Sequence, residues 1–357
     1  RQGHTMESGP RKGFYRQDIN KTKWDVPVRY RDLAAVGSGA YGTVCSAQDR
    51  LTGERVAIKK LLRPFQSLVH AKRAYRELRL LKHMKHENEI IIFITNLCWS
   101  WFPIINPLTA VLVSSYLVMP FIAVDLSRVM RMQRLNHSTI VYLLYQILRG
   151  LQYIHAAGIV HRDLKPSNLG VNEDYELKIL DFGLARPTEF EMTGYVVTRW
   201  YRAPEVILNW MHYNHTVDIW SVGCILAEMI TGKVLFPGGD YFDELNKIIE
   251  VTGSPQPSLI NKMESSHVSE YITLLAVSKP NDAVVIIFIA HFLLLPSETD
   301  LLEKMLDLDP GTRVNATEAL AHPYLEEYND SDPDPTADKY DDSFESLDLN
   351  VHEWKSK

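Results

Sequence analysis

Cysteine is scarce in this chain of 357 residues, which contains only Cys45, Cys98 and Cys224. The three lie far apart at unrelated spacings, so the sequence has neither a zinc-binding cysteine pair nor a disulfide framework. Scattered cysteines of this kind suit a reducing compartment. The sequence therefore gives no support for a zinc module or for a small disulfide-stabilised fold.

An excess of basic charge is also missing, because 38 Lys and Arg residues face 44 Asp and Glu residues, for a net charge of -6. Nucleic-acid binding usually needs a basic face, so this balance gives no argument for it. The opening residues 1–23 are polar and lack the apolar core of a secretory signal. With 46% hydrophobic residues, the chain is long enough to bury a large core, which we expect to be divided between two lobes.

Hydrophobic periodicity predicts a first part rich in β-strands and a second part that is mainly helical, an α+β class. The predicted strands are residues 30–36, 43–48 and 55–62, and the predicted helices are residues 69–84, 138–157 and 217–231. Ser138 is the expected N-cap of the second helix, and Gly232 is the expected C-terminal stop of the third. Residues 1–29 are expected to form an extended arm, and the acidic residues 329–342 an extended surface segment.

A glycine-rich segment links the first two predicted strands. It consists of Val36, Gly37, Ser38, Gly39, Ala40, Tyr41, Gly42, Thr43 and Val44. A G-x-G-x-x-G pattern alone is weak evidence, because many matches are ordinary turns. In a dinucleotide-binding fold the last glycine opens a helix, whereas here it leads into a strand. This context favours a hairpin lid whose backbone approaches phosphate groups closely. A Walker A motif is absent, so a P-loop nucleotidase is not expected.

Lys59 ends the run Val-Ala-Ile-Lys on the third predicted strand. It could be an ordinary surface lysine, but its flanks are apolar, and a buried ammonium needs an anionic partner. Glu77 shares the apolar face of the predicted helix 69–84 and needs a partner as well. We therefore predict a Lys59–Glu77 ion pair that aims the ammonium at ATP phosphates.

The segment from His161 to Asn168 is the most specific in the chain. Phosphoryl transfer needs a carboxylate that positions the hydroxyl and accepts its proton, and Asp163 fits this role. Lys165 can reach the phosphate, and Asn168 is a neutral oxygen ligand for one metal ion. Asp181, in Asp-Phe-Gly, is the carboxylate expected to chelate magnesium. Each aspartate alone could be a turn or a cap, but the motifs in this order argue against that alternative.

These motifs, with Ala203-Pro204-Glu205 after them, resemble the protein kinases over residues 30–354, and more narrowly the mitogen-activated protein kinases. The resemblance implies a bilobal fold, ATP and Mg²⁺ as cofactors, and a pair between Glu205 and a late arginine, Arg313. It also implies Met119 as a gatekeeper before a hinge at residues 120–123. The further ATP contacts that it implies are Ala57, Ile122, Asp125 and Leu169.

The implied domain boundaries are an arm at 1–29, an N-lobe at 30–121, a C-lobe at 122–322 with an insert near 254–299, and a C-terminal extension at 323–357 that packs on the kinase. The same resemblance implies a monomer in the cytoplasm and nucleus.

Thr193 and Tyr195 lie between the Asp-Phe-Gly and Ala-Pro-Glu segments, in a Thr-Gly-Tyr motif. They could be two exposed hydroxyls of a flexible loop, but the chain offers many nearby cations that could bind phosphate. We expect a phosphate on Thr193 to gather Arg73, Arg76, Arg162 and Arg186, and one on Tyr195 to meet Arg199 and Arg202. Thr-Gly-Tyr resembles the stress-activated subgroup, which implies dual phosphorylation by an upstream kinase and proline-directed Ser/Thr substrates.

Two acidic clusters resemble the family's docking groove for substrates, activators and phosphatases. They are Glu173 with Asp174, and Asp330, Asp332 and Asp334 in the tail. The alternative is a pair of solvated acidic turns, and Pro333 interrupts the tail cluster.

Two segments depart from the family pattern, at residues 89–115 and 276–299. Residues 90–124 contain no charged side chain, but prolines and polar residues interrupt the run, which argues against a membrane span. We interpret both segments as foreign or mis-joined exon sequence. Three interpretations remain: an active kinase, a catalytically weak scaffold that binds partners through its acidic groove, and a membrane-anchored kinase.

Overall fold

The computed structural model describes residues 12–39, 42–61, 63–84, 116–187, 199–208, 214–260, 295–328 and 337–357. These residues form two compact units. The first unit contains the described residues up to Lys82, those from Tyr116 to Ile122, and Leu347–Lys357. The second contains His83, Met84 and the described residues from Ala123 to Ser346.

The first unit is built on an antiparallel sheet of four strands in chain order. The strands are β3 (Tyr30–Gly39), β4 (Gly42–Asp49), β5 (Arg55–Leu61) and β6 (Tyr116–Pro120). β5 pairs with β6 so that Ala57 lies opposite Met119 and Lys59 opposite Leu117. The unit also contains helix α1 (Leu68–His83), whose last residue falls in the second unit, and a short C-terminal helix (Val351–Ser356). The predicted strands and helix of this region are confirmed.

Residues 14–27 form a hairpin rather than the extended arm expected from the sequence. β1 (Phe14–Ile19) pairs with β2 (Thr22–Pro27), and the turn residues Asn20 and Lys21 have positive φ angles of 48° and 63°. Trp24 and Val26 of β2 are each 1% exposed in the core that also contains Ile58. Alternating burial along β2 thus attaches the hairpin to the sheet, because successive side chains of a strand point to opposite faces.

The second unit is mainly helical. Its helices are α2 (Leu126–Met132), α3 (His137–Ala156), α4 (Pro204–Ile207), α5 (Thr216–Thr231), α6 (Tyr241–Thr252), α7 (Pro257–Ile260), α8 (Pro296–Met305) and α9 (Ala316–Leu320). Short strands lie between them: β7 (Val124–Asp125), β8 (Ile159–Val160), β9 (Leu169–Val171), β10 (Leu177–Ile179) and β11 (Arg186–Pro187). The predicted α+β class is therefore confirmed.

Helices α3 and α5 carry much of the core of the second unit. The apolar face of α3 is buried, and α5 is buried along most of its length. Gly232 ends α5 with a φ of 71°, as predicted, because glycine adopts this left-handed conformation without strain. The N-cap prediction for α3 is wrong: Asn136, not Ser138, caps the helix by accepting the Thr139 N–H at 2.8 Å.

Helix α8 begins at Pro296, inside the segment 276–299 that departs from the family pattern. Glu298 lies in its first turn, is 5% exposed, and accepts the Tyr324 hydroxyl at 2.8 Å. The end of this segment is therefore integrated into the core of the second unit.

No helix of the described chain is both long and apolar enough to cross a lipid bilayer.

Candidate active site

The glycine-rich segment occupies the ends of β3 and β4 in the first unit. Val36 is 52% exposed, and Gly37 has open space where a Cβ would lie. Gly42 is different, because a Cβ at this position would lie 2.5 Å from the Lys60 carbonyl oxygen. The last glycine of the motif is thus required by the close approach of β4 to β5, whereas Gly37 leaves its backbone accessible.

The predicted Lys59–Glu77 ion pair is present in the first unit. Lys59 Nζ lies 2.5 Å from Glu77 Oε1, and the two side chains are 15% and 7% exposed. β5 supplies the lysine, and the inward face of α1 supplies the glutamate. The pair fixes a largely buried ammonium, and this is the arrangement that phosphoryl transfer needs for a cation at the phosphates of ATP.

Asp163, Lys165 and Asn168 come together in the second unit. Asp163 Oδ2 accepts a hydrogen bond from Lys165 Nζ at 2.8 Å and one from Asn168 Nδ2 at 3.0 Å. Asn168 Nδ2 also donates to the Asp163 carbonyl oxygen at 2.8 Å. The carboxylate is therefore held through Oδ2 by two side chains of its own loop, and this fixes the orientation of a general base.

Asp218 of α5 is a supporting residue that the sequence did not reveal. Its carboxylate is fully buried and accepts the backbone N–H groups of His161 and Arg162, each at 2.8 Å. His155 Nε2 lies 2.9 Å from the same carboxylate, and hydrogen bonding to His155 helps to hold the pKa of Asp218 below its usual value despite burial. Arg162 adopts a φ of 70° there. Asp218 thus fixes the backbone that leads to Asp163. In the sequence, the only available signal for the role of Asp218 was a charged residue within the apolar run that forms α5.

Asn168 and Asp181 offer a suitable pair of oxygen ligands for Mg²⁺. Leu180 N–H donates to the Asn168 carbonyl at 2.8 Å, so the two segments that carry these ligands are hydrogen-bonded neighbours. Because Nδ2 of Asn168 is engaged by Asp163, its Oδ1 is the atom left to face a cation. Asp181 is exposed and has a φ of 62°. Within the described residues, no group of three His, Cys, Asp or Glu side chains forms a metal site. Magnesium that is shared with substrate phosphates needs only one or two carboxylates from the protein.

Phe182 and His161 fix the Asp-Phe-Gly segment. Their rings lie 5.1 Å apart in an edge-to-face contact, and both side chains are buried. His161 Nε2 also lies 3.0 Å from the Leu180 carbonyl oxygen. The segment that carries Asp181 is therefore attached to the segment that carries Asp163.

The remaining predicted ATP contacts are divided between the units. In the first unit, Thr43, Val44, Ala57, Met119 and Ile122 lie on or beside the sheet. In the second unit, Leu169 is fully buried, and Asp125 caps α2 by accepting the Arg128 N–H at 2.9 Å.

The predicted phosphate-binding arginines are divided in the same way. Arg73 and Arg76 lie on α1, whereas Arg162, Arg186, Arg199 and Arg202 belong to the second unit. Arg199 Nη2 donates to the Gly239 carbonyl at 2.6 Å, and Arg202 is 8% exposed.

Glu205 and Arg313 form the predicted pair, with Nη1 and Oε1 2.6 Å apart and both side chains fully buried. This bidentate pair links α4 to the loop before α9. Glu173 and Asp174 are exposed, as a docking surface requires.

Several predictions lie outside the described residues. They concern Ala40, Tyr41, Thr193, Tyr195, Asp330, Asp332, Asp334, residues 89–115 and most of residues 276–299.

Comparison with known proteins agrees with this geometry. The family described as "Protein kinase domain" matches residues 30–325. Mitogen-activated protein kinase 12 of Rattus norvegicus is 56% identical over 354 residues, which cover 98% of this chain and 93% of the relative. Mitogen-activated protein kinase 14 of Xenopus laevis is 54% identical over 350 residues, which cover 98% and 94%. The chain therefore belongs to the protein kinase family and, within it, to the stress-activated mitogen-activated protein kinases, which makes it an ATP-dependent serine/threonine kinase.

Proposed function

We propose that this kinase phosphorylates serine or threonine followed by proline, and that phosphorylation of Thr193 and Tyr195 activates it. The phosphate-transfer part of the proposal is carried by the Asp163 carboxylate, held at 2.8 Å by Lys165 and at 3.0 Å by Asn168. The Thr-Gly-Tyr motif and the similarity to mitogen-activated protein kinases support the proline preference and the activation step. A carboxylate fixed in this way can orient a hydroxyl and accept its proton. It does so without forming a covalent intermediate with the substrate.

The reaction forms a bond between the substrate hydroxyl oxygen and the γ-phosphorus of ATP. It breaks the bond between that phosphorus and the oxygen that bridges the β- and γ-phosphates, which leaves with ADP. Asp163 accepts the hydroxyl proton, and Lys165 stabilises the charge on the transferred group. Lys59, oriented by Glu77, binds the phosphates of ATP. Asn168 and Asp181 would hold Mg²⁺, which neutralises the negative charge of the phosphates.

The activation step concerns Thr193 and Tyr195. A phosphate adds almost two negative charges and strong acceptors, so it orders a segment when arginines surround it. Two groups of arginines support the proposal, namely Arg73 and Arg76 on α1 and the second-unit set at positions 162, 186, 199 and 202.

The substitutions Thr193→Ala and Tyr195→Phe test this switch. We expect an upstream dual-specificity kinase to raise the activity of the wild type strongly and that of the double variant little. Peptides with Ser-Pro and Ser-Ala at the acceptor site test the substrate preference, and the Ser-Pro peptide should have the higher kcat/KM. Full activation of the double variant would contradict the proposal.

We also propose that Glu173, Asp174 and the tail aspartates Asp330, Asp332 and Asp334 bind basic peptides of substrates, activators and phosphatases. Opposite charge and the exposure of Glu173 and Asp174 support this. Reversal of both charges with Glu173→Lys and Asp174→Lys should weaken binding of a basic peptide in fluorescence polarisation, without changing KM for ATP.

We further propose that the kinase acts as a monomer in the cytoplasm and nucleus.

A catalytically weak scaffold is the second candidate function, favoured by the uncharged run at residues 90–124. Peptide binding without phosphate transfer would support it.

A further inference from the structure

Glu244 of α6 is a buried acidic residue that the phosphate-transfer site does not use. It is 1% exposed, and its Oε2 accepts the Gly238 N–H at 3.0 Å. Oε1 is also buried and has no hydrogen-bond partner within the described chain. Buried polar atoms are normally paired, so a carboxylate with one oxygen unpaired in the core needs a reason.

The carbonyl groups of Gly238 and Gly239, beside Glu244, bind two side chains of the segment that precedes helix α4. Trp200 Nε1 donates to the Gly238 carbonyl at 3.0 Å, and Arg199 Nη2 donates to the Gly239 carbonyl at 2.6 Å. The Arg199 guanidinium also lies 5.2 Å from the centre of the Tyr241 ring. The two carbonyl groups of this turn thus orient two side chains that follow the predicted phosphorylation sites.

The N–H groups of the same turn are bound by carboxylates of α6. Gly238 N–H donates to Glu244 and also to the Phe236 carbonyl at 2.9 Å, and Gly239 N–H donates to Asp243 Oδ2 at 2.8 Å. A Cβ on Gly238 would lie 2.2 Å from Glu244 Oε2 and 2.7 Å from the Glu244 backbone. The turn therefore lies directly against Glu244, with no room for a larger side chain at position 238.

The charge of Glu244 changes within the physiological pH range. Burial raises its pKa to about 7, while the Gly238 N–H, Arg199 and Lys247 lower the pKa and Asp243 raises it. Lys247 is bound to Asp243 at 2.6 Å. On the neighbouring helices, Cys224 of α5 is buried and the charge of Glu244 contributes, after burial, to the raised pKa of its thiol, while Glu205 of α4 is paired with Arg313.

Arg199 interacts with both partners: its guanidinium is attracted electrostatically by Glu244 and donates a hydrogen bond to the Gly239 carbonyl of the turn. The carboxylate attracts its guanidinium and is a stronger acceptor for Gly238 N–H than the protonated acid, because hydrogen bonds to charged groups are the stronger ones. Loss of the charge weakens both interactions.

We propose that Glu244 is a positioning residue that fixes the turn at residues 236–239, and with it Arg199 and Trp200, when its carboxylate is charged. The consequence for catalysis rests on the proposed function, since residues 199–203 join the phosphorylation sites to α4. Binding of the protein substrate should depend on this segment, whereas binding of ATP should not.

Hydrogen exchange of the full unphosphorylated chain tests the proposal without any need for activity. The reporter is the peptide 199–208, in which Arg202 N–H donates to the Arg199 carbonyl at 2.9 Å. At pH 8, we expect Glu244→Gln to exchange severalfold faster than the wild type, and at pH 6 we expect the two to be alike. Glu250→Gln, an exposed position on the same helix, should match the wild type at both pH values.

A second variant separates geometry from charge. Gly238→Ala leaves Glu244 intact but displaces the turn, so it should accelerate exchange at both pH values. If Glu244→Gln matches the wild type at pH 8, or differs from it equally at pH 6 and pH 8, the proposal is wrong. Thermal melting of each variant shows that it is folded.

Kinetics of the activated enzyme give the functional consequence. Glu244→Gln should raise KM for a Ser-Pro protein substrate severalfold at pH 8, with kcat and KM for ATP unchanged. An unchanged KM for the protein in an active enzyme would overturn the functional part. Inactivity of the wild type would instead contradict the proposed function and leave the exchange result intact.

Discussion

The ion pair between Lys59 and Glu77 gives the clearest residue-scale prediction for catalysis. Its two side chains belong to different elements, are largely buried, and have their charged atoms 2.5 Å apart. Glu77→Gln keeps the shape but removes the charge that orients the ammonium. Loss of one oriented electrostatic contact typically costs about 10²–10³ in kcat, and we expect a fall of that order. Steady-state kinetics measure it, with Glu250→Gln as a control for loss of an acidic charge elsewhere.

The buried pair between Glu205 and Arg313 gives a prediction for stability. Both side chains are fully buried, and Arg313 also donates to the Thr216 carbonyl at 3.1 Å. Removing one partner of a buried pair leaves an uncompensated charge, which typically costs about 3–5 kcal/mol. We expect Glu205→Gln to lower the free energy of unfolding by that amount in urea titrations.

The matched comparison is the solvent-accessible pair Lys247–Asp243, four residues apart on α6. Lys247→Met should cost far less than Glu205→Gln, because solvent screens such pairs. Similar losses for the two variants would contradict the assignment of Glu205 and Arg313 to the core.

At the scale of elements, the start of α3 offers a direct comparison of two residues. Asn136 accepts the Thr139 N–H at 2.8 Å, whereas the Ser138 hydroxyl donates to Asn136 Oδ1 at 2.9 Å. Because the cap is Asn136, Asn136→Ala should lower the free energy of unfolding by about 1 kcal/mol. Ser138→Ala, at the cap expected from the sequence, should cost clearly less. A larger loss of unfolding free energy for Ser138→Ala than for Asn136→Ala in chemical denaturation would contradict the assignment of Asn136 as the cap.

Elements were predictable from sequence where a single local pattern specified them. The strands β3 to β5, helix α1 and the buried helices α3 and α5 follow from apolar periodicity and from glycine as a stop signal. The hairpin of β1 and β2 was missed because its turn, Asn20-Lys21, lacks the glycine that usually marks such turns. Its alternating strand, with Trp24 and Val26 buried, was the signal available.

The site could be predicted where its residues are close in sequence or share a motif, as for Asp163, Lys165 and Asn168. Asp218 could not, because it acts on His161 and Arg162 from 57 and 56 positions away. Its carboxylate is compensated by backbone N–H groups that only the folded loop presents. Glu244 is similar, since its role depends on a turn of two glycines whose carbonyl groups face Arg199 and Trp200.

At the scale of the whole molecule, Glu244 should change how stability depends on pH. Burial raises its pKa to about 7, above the value near 4.3 expected for an unfolded chain. Between these values the folded state holds more protons than the unfolded state, so stability falls as pH rises.

We therefore expect wild type to lose about 2 kcal/mol more than Glu244→Gln between pH 5.5 and pH 7.5. Urea unfolding of both proteins at the two pH values measures this difference. Parallel pH profiles would mean that Glu244 does not titrate in this window.

Asp163 is the residue on which phosphate transfer from ATP to a protein hydroxyl should depend. The most direct measurement is phosphate incorporation into a Ser-Pro protein substrate by the activated full chain with ATP and magnesium, compared with Asp163→Asn. We expect transfer by the wild type and a rate about 10²–10⁴-fold lower for the variant, because a general base is lost. Equal rates for the two proteins, or no transfer by an activated and folded wild type, would contradict it.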